Sequence, residues 1–350
     1  MQAEPTSNPP PRNGKRGARV RRALFFLFSL ALTVVVFSIL FRHVTWADVQ
    51  HLILNIHPGW VGVFLAFSLL QLVFRTWRYR MLLRASDENP PSFALFLVVV
   101  VRGLCVDMLP ARAGELVYIF LVRTRLGVDL GAATASFALA FLFDVLALAP
   151  LLVIGAFAVG GGSGLSPTVL IGGAAVLLIV SSALIAAMIP VLTLAQRLLR
   201  PWRERDLSWA RFLSDTAASV CDSLRLAKRK RLFWPLFGSS LLIRISKYAS
   251  LYFLMFALLT PRGYNLATIP PAEAFFALVS GEMAASLPVS GIGGFGAYEG
   301  AMAVVFVLLG FTKETAAAVT LSHRLLTQLY GLGTGLLALL TLMLPVFRRD

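Results

Sequence analysis

The sequence predicts an all-α integral membrane protein: a polytopic helical bundle of seven or eight full spans with two re-entrant hairpins, arranged as an inverted repeat. Three observations predict it. Of 350 residues, 58% are hydrophobic and only 14% charged, with a mean hydropathy of +0.79, far outside soluble averages. Residues 23–41, 145–196 and 325–347 carry no charge, and a bilayer core needs only roughly 20 apolar residues per helix. Two apolar stretches, at 109–115 and 287–299, are broken by Pro, Gly and charged residues. Ionisable groups at membrane depth are costly and normally face a bundle interior or a watery cavity. Irregular backbone is tolerated there only where protein or water satisfies it. The chain is therefore expected to act inside the bilayer.

Residues 1–22, rich in Pro, Asn and basic side chains, read as a disordered cytosolic tail. The apolar run at 23–41 is too long for a signal peptide and lacks a small-residue cleavage site, so it is a retained span. A loop with Trp46, Asp48 and three histidines follows. Span two covers 58–74 and is closed by Arg75, Arg78, Arg80 and Arg84. Span three runs from 91 to 109 and meets Leu109-Pro110-Ala111-Arg112-Ala113-Gly114-Glu115, with Arg102 and Asp107 just upstream. The apolar piece after Pro110 (116–122) is too short to span, so this region is expected to return to its starting side.

Span four covers 132–159 with Asp144 inside it, and a Gly-rich turn leads to span five at 168–194. The basic segment 197–231 repeats Trp209, Phe212, Leu213, Val220 and Leu224 at helical spacing, which predicts an amphipathic helix lying at the membrane interface. Span six (232–259) contains Arg244 and Lys247 near one end, where long cationic side chains snorkel towards headgroups. Next comes a second broken region. Residues 274–287 carry Glu282, then Pro288, Ser290, Gly291, Gly293, Gly294 and Glu299 follow, then apolar 300–310. The last span (315–344) contains His323, read as a hydrogen-bonded packing residue, and Arg324.

The net charge of +15 does not point to nucleic acid, because the basic residues cluster beside apolar spans. With both termini cytosolic, every dense basic cluster falls inside and the sparsely basic loops fall outside. The first hairpin then enters from the cytosol and the second from the far side. Both run Leu-Pro, Gly, Glu, and both precede a span with a buried charge, Asp144 or Arg324. Broken segments at matching places in two halves (23–160 and 166–344) mark a transport site near the midplane.

The residues at these breaks define the expected site. Arg112 is suited to hold a phosphate through its planar fork, with Glu115 one turn away to orient it. Asp144 is expected to pair with Arg102, Arg112 or Arg324, since a lone charge would be intolerable there. The turn with Ser290, Gly291, Gly293 and Gly294 permits positive φ and close backbone approach, and can aim amides at an anion. Glu282 and Glu299 balance charge or carry a proton. Asp107, Pro110 and Pro288 complete the set. Two cysteines without CxxC spacing, four histidines without HExxH, and the lack of a Walker lysine motif or GxSxG elbow point to no metal, no cofactor and no enzyme.

The stretch LPARAGELVYIFLVRTRLGV with the Asp144 span, and LPVSGIGGFGAYEGAMAVVFVLLG with His323-Arg324, resemble two blocks of the lysylphosphatidylglycerol synthase transmembrane-region family, over residues 23–344. The resemblance implies a flippase-like multi-pass protein of the cytoplasmic membrane. In the synthases this region moves an aminoacylated phospholipid that a separate soluble domain makes. The 350 residues leave no room for such a domain, so the moving role is the one implied. The family's Glu and Arg before the aspartate of the fourth span are here Ala140-Phe141-Leu142-Phe143, so the family's substrate does not carry over. The expected function is translocation of a phospholipid or lipid-linked headgroup, with anionic membrane lipids as partners. The alternative is a subunit that presents a lipid to a partner lipid-modifying enzyme. Access from both faces favours translocation.

Overall fold

The computed structural model describes residues 34–108, 114–159, 167–204, 207–265, 267–285 and 296–344. Every regular element among them is helical. After a helical stretch at 34–40, α1 (Trp46–Leu54) opens on a reciprocal cap. The Thr45 hydroxyl accepts from the Asp48 amide at 3.3 Å, and the Asp48 carboxylate accepts from the Thr45 amide at 2.9 Å. Those bonds from the Thr45 side chain and amide hold the Asp48 carboxyl below its ordinary range. Pro58, whose missing amide is tolerated in a first turn, starts α2 (Pro58–Ala85). Then follow α3 (Ser92–Met108), α4 (Gly114–Leu126), α5 (Leu130–Val159), α6 (Pro167–Glu204), α7 (Ser208–Arg229) and α8 (Phe233–Leu259). After a 3-10 turn come α9 (Pro271–Ala285), α10 (Ala297–Leu308) and α11 (Lys313–Leu342).

Among the described residues, five helices (α2, α5, α6, α8 and α11) are long and apolar enough to cross a membrane. Their outward faces carry large apolar side chains such as Leu69, Ile154, Ile179 and Leu337, exposed as lipid would require. The helix α2 continues through the arginines expected to close it. No Pro or Gly lies between Val63 and Ala85, and the helix ends at Ser86 and Asp87, the latter with φ 61°.

Two apolar cores hold the bundle. One gathers Tyr79, Val98, Tyr118, Ala133 and Phe143 from α2 to α5, with Val220 and Leu224 of α7. The other gathers Val49, Met255, Leu258, Met302 and Ala317 from α1, α8, α10 and α11. Two glycines of the broken motifs have a steric reason. A Cβ on Gly114 would run into the Cys105 carbonyl and the Val106 nitrogen, so α4 can abut α3 only through glycine. Gly296 has φ 102°, a region that suits glycine alone.

The two ends of the bundle are distinct. At one, Lys230 donates to the Arg84 and Ala85 carbonyls (3.2 and 3.1 Å), and Glu88, just before α3, accepts from the Asp129 amide just after α4 (2.9 Å). At the other, the His57 amide donates to the Ala257 carbonyl (3.0 Å), and Tyr264, before α9, stacks on Phe311, after α10 (5.8 Å). The chain just before α3 thus meets the chain just after α4, and the chain just before α9 meets the chain just after α10.

The basic segment 197–231 differs from expectation. Its first turns continue α6 to Glu204, and α7 turns Ala210, Ser214, Ala217, Cys221 and Leu224 onto α5 and α6. A Cβ on Gly131 of α5 would overlap Ser219, so the approach is close. Of the predicted apolar stripe, Val220 and Leu224 are covered by protein, while Phe212 and Leu213 stay exposed.

Candidate functional site

One face of α2 shows how the site is built. Ser68, Gln71, Leu72 and Arg75 recur three or four residues apart, so they share a side of the helix. They line a cavity of about 220 Å³ that α3, α4, α5, α8, α9, α10 and α11 also wall. Five cations reach it (Arg75, Arg102, Arg244, Lys247 and Arg324) against three carboxylates (Glu115, Asp144 and Glu282). The rest of the lining is mixed, with Phe64, Leu104, Tyr298 and Tyr330 beside Thr327 and Gln328.

One turn after Arg75, Arg78 is fully buried. Its guanidinium grips Asp144 with two hydrogen bonds, 2.6 and 3.1 Å, and donates to Ser240 at 2.7 Å. Among the described residues this corrects the expected partner of Asp144, which is neither Arg102 nor Arg324, while Arg112 lies outside them. The correction follows from α2 running on as helix, which brings Arg78 opposite α5. Arg102 pairs with Glu115 and lies 5.8 Å from the centre of the Tyr79 ring. Tyr79 stacks in turn on Tyr118 at 4.2 Å.

Across the cavity, Glu282 gathers Lys247, Arg244 (3.7 Å) and the Tyr248 hydroxyl, which donates at 3.0 Å. Arg244 also donates to the Asp144 carbonyl at 3.2 Å. These contacts overturn the snorkelling expected of Arg244 and Lys247. A carboxylate on the neighbouring α9 gives both cations an inward partner, and only 12% and 26% of their side chains is exposed. Arg324 lies 3.5 Å from Glu299 and 4.8 Å from the centre of the Tyr298 ring. Glu299 is fully buried and also accepts from the Gly296 amide at 2.6 Å, so it caps α10 while balancing Arg324. His323 sits buried with Nε2 3.1 Å from the Leu251 carbonyl, in the packing role expected of it.

The structure therefore brings together Arg102, Glu115, Asp144, Glu282 and Arg324 around one cavity, with Glu299 directly behind Arg324. Pro110, Arg112, Pro288, Ser290, Gly291, Gly293 and Gly294 lie outside the described residues, as does the side chain of Asp107. The sequence reading missed Arg75, Arg78 and Gln71 by ending span two at its first arginine. The polar stripe at 68, 71, 75 and 78, at helical spacing, was the signal that the helix continues with one face inward. The sequence model of the family described as Lysylphosphatidylglycerol synthase TM region matches residues 26–335. No curated protein matches the chain.

Proposed function

We propose, from the premise that this chain belongs to the lysylphosphatidylglycerol synthase TM region family, that it moves a phospholipid or lipid-linked headgroup between the two leaflets. One observation carries the reading: a cavity lined by eight charged side chains lies inside a bundle whose outer face is apolar. Charges so placed are expected to line a pathway. A headgroup can exchange water for these groups while its acyl chains stay in lipid.

The short helices support the two-sided arrangement. At 17, 13, 15 and 12 residues, α3, α4, α9 and α10 rise only about 18–26 Å against roughly 30 Å of hydrocarbon. We read each pair as a re-entrant hairpin, one from the cytosolic face and one from the far face, within a single transmembrane domain of two inverted halves. Both termini are cytosolic in this reading, and the membrane is the cytoplasmic one. Arg112 is the proposed phosphate ligand at the tip of the first hairpin, with the turn at 290–294 closing from the other side. The protein acts as a carrier without chemistry of its own.

The test is translocation of headgroup-labelled lipid in proteoliposomes. Arg112→Ala is expected to lose most activity, and Arg112→Lys to keep an intermediate level, because a point charge lacks the fork. The loss of one charge-assisted contact corresponds to roughly ten- to hundredfold in affinity. Arg84→Gln, away from the cavity, is the control. Proteoliposomes that move no lipid faster than empty vesicles would sink the reading and leave the lipid-presenting role.

A further inference from the structure

We infer that Arg75 receives the anionic phosphate of the ligand's headgroup, and that the ligand is a lipid whose head carries net negative charge and no ammonium group. The inference takes its location from the translocation reading, but it concerns binding and can stand or fall alone.

The pairing around the cavity carries it. Each carboxylate there is engaged by a cation of the protein: Glu115 by Arg102, Asp144 by Arg78, Glu282 by Lys247 and Arg244, and Glu299 by Arg324. Arg75 lines the same cavity, yet it has no hydrogen bond or ion pair among the described residues, and its Nε is buried without a partner. An ammonium headgroup entering here would find every described carboxylate already matched and an excess of like charge. A phosphate would find the reverse: an unmatched guanidinium whose fork fits two of its oxygens. Gln71, one turn before Arg75 and also on the wall, can donate to the same anion. Phe64, Leu72 and Tyr330 supply apolar wall nearby, and Phe64 meets Tyr330 edge-on at 5.1 Å between α2 and α11. A soluble phosphate shares the chemistry of the headgroup but makes no use of that apolar wall.

The test uses the full chain in nanodiscs of phosphatidylcholine. Binding of phosphatidylglycerol, of aminoacylated phosphatidylglycerol and of inorganic phosphate is measured for wild type, Arg75→Gln, Arg75→Lys and Arg84→Gln. The expected result is preference for phosphatidylglycerol over aminoacylated phosphatidylglycerol and over the phosphatidylcholine of the disc. Arg75→Gln should weaken it roughly ten- to hundredfold, Arg75→Lys should recover part, and Arg84→Gln should match wild type. Inorganic phosphate should compete only weakly.

Thermal unfolding gives an independent readout. Because Arg75 has no partner to strand among the described residues, Arg75→Gln should melt no lower than wild type in phosphatidylcholine alone, but should lose the rise in Tm that phosphatidylglycerol confers. Equal binding by Arg75→Gln, equal or tighter binding of an ammonium-bearing lipid, or Arg75-dependent binding of inorganic phosphate alone would each overturn the inference. So would a drop in the melting temperature of Arg75→Gln without added lipid. A protein that binds phosphatidylglycerol through Arg75 but moves no lipid defeats translocation and leaves this inference intact. One that moves lipids regardless of Arg75 does the opposite.

Discussion

Arg78 and Asp144 pair by two hydrogen bonds with the guanidinium fully buried, so neither can be removed alone without stranding the other. Breaking such a pair from one side costs about 3–5 kcal/mol, whereas replacing both members by apolar residues of similar size is often near neutral. Asp144→Ala is therefore expected to lose about that much stability in detergent unfolding. The double change Arg78→Met with Asp144→Leu should lose much less than the two single losses combined. Additive losses would mean that the two side chains do not depend on one another. That Asp144 needed a partner was legible in the sequence, since a lone carboxylate inside an apolar run is untenable. Which arginine serves was not legible, because residues 78 and 144 meet only through the approach of α2 to α5.

At the scale of elements, glycine separates packing from propensity. Gly296 begins α10 at φ 102°, and a side chain there must strain the backbone by about 1–3 kcal/mol. Gly238 lies inside α8, and a Cβ on it meets nothing within 4 Å. Gly238→Ala should stabilise by roughly 0.5–1 kcal/mol through helix propensity, while Gly296→Ala should destabilise. Chemical unfolding of the two variants checks both signs, and a stabilised Gly296→Ala would show that α10 can start without that conformation. The positive φ of Gly296 was legible in the second glycine run, whereas the close approach of α3 to Gly114 was not. Nor was the course of α7. Its stripe of Val220 and Leu224 has the same period whether it faces headgroups or the flank of α5 and α6.

The whole molecule has two ends with different chemistry. Lys230 meets Arg84, and Asp129 meets Glu88, at one, and His57, between α1 and α2, meets Ala257 near the end of α8 at the other. The proposed orientation places the first end, with its basic side chains, in the cytosol. Single cysteines introduced into a variant lacking Cys105 and Cys221 test this in intact cells. A cysteine at Asn265 should react with an impermeant reagent from outside, and one at Arg225 should not. The reverse pattern would invert the bundle and exchange the faces served by the two short-helix pairs.

Composition and run length determined by themselves that this chain is a helical membrane protein, and that charges such as Asp144 inside its apolar runs need partners. These follow from local chemistry, because a bilayer penalises each exposed charge and each unpaired backbone group wherever it falls along the chain. Only the tertiary structure decided the pairing: Asp144 with Arg78, Glu115 with Arg102, Glu282 with Lys247 and Arg244. It alone left Arg75 unmatched on the wall of the cavity. Ion pairing depends on distances of a few ångströms between residues up to 66 positions apart, and such distances are set by how helices pack rather than by the order of residues along them.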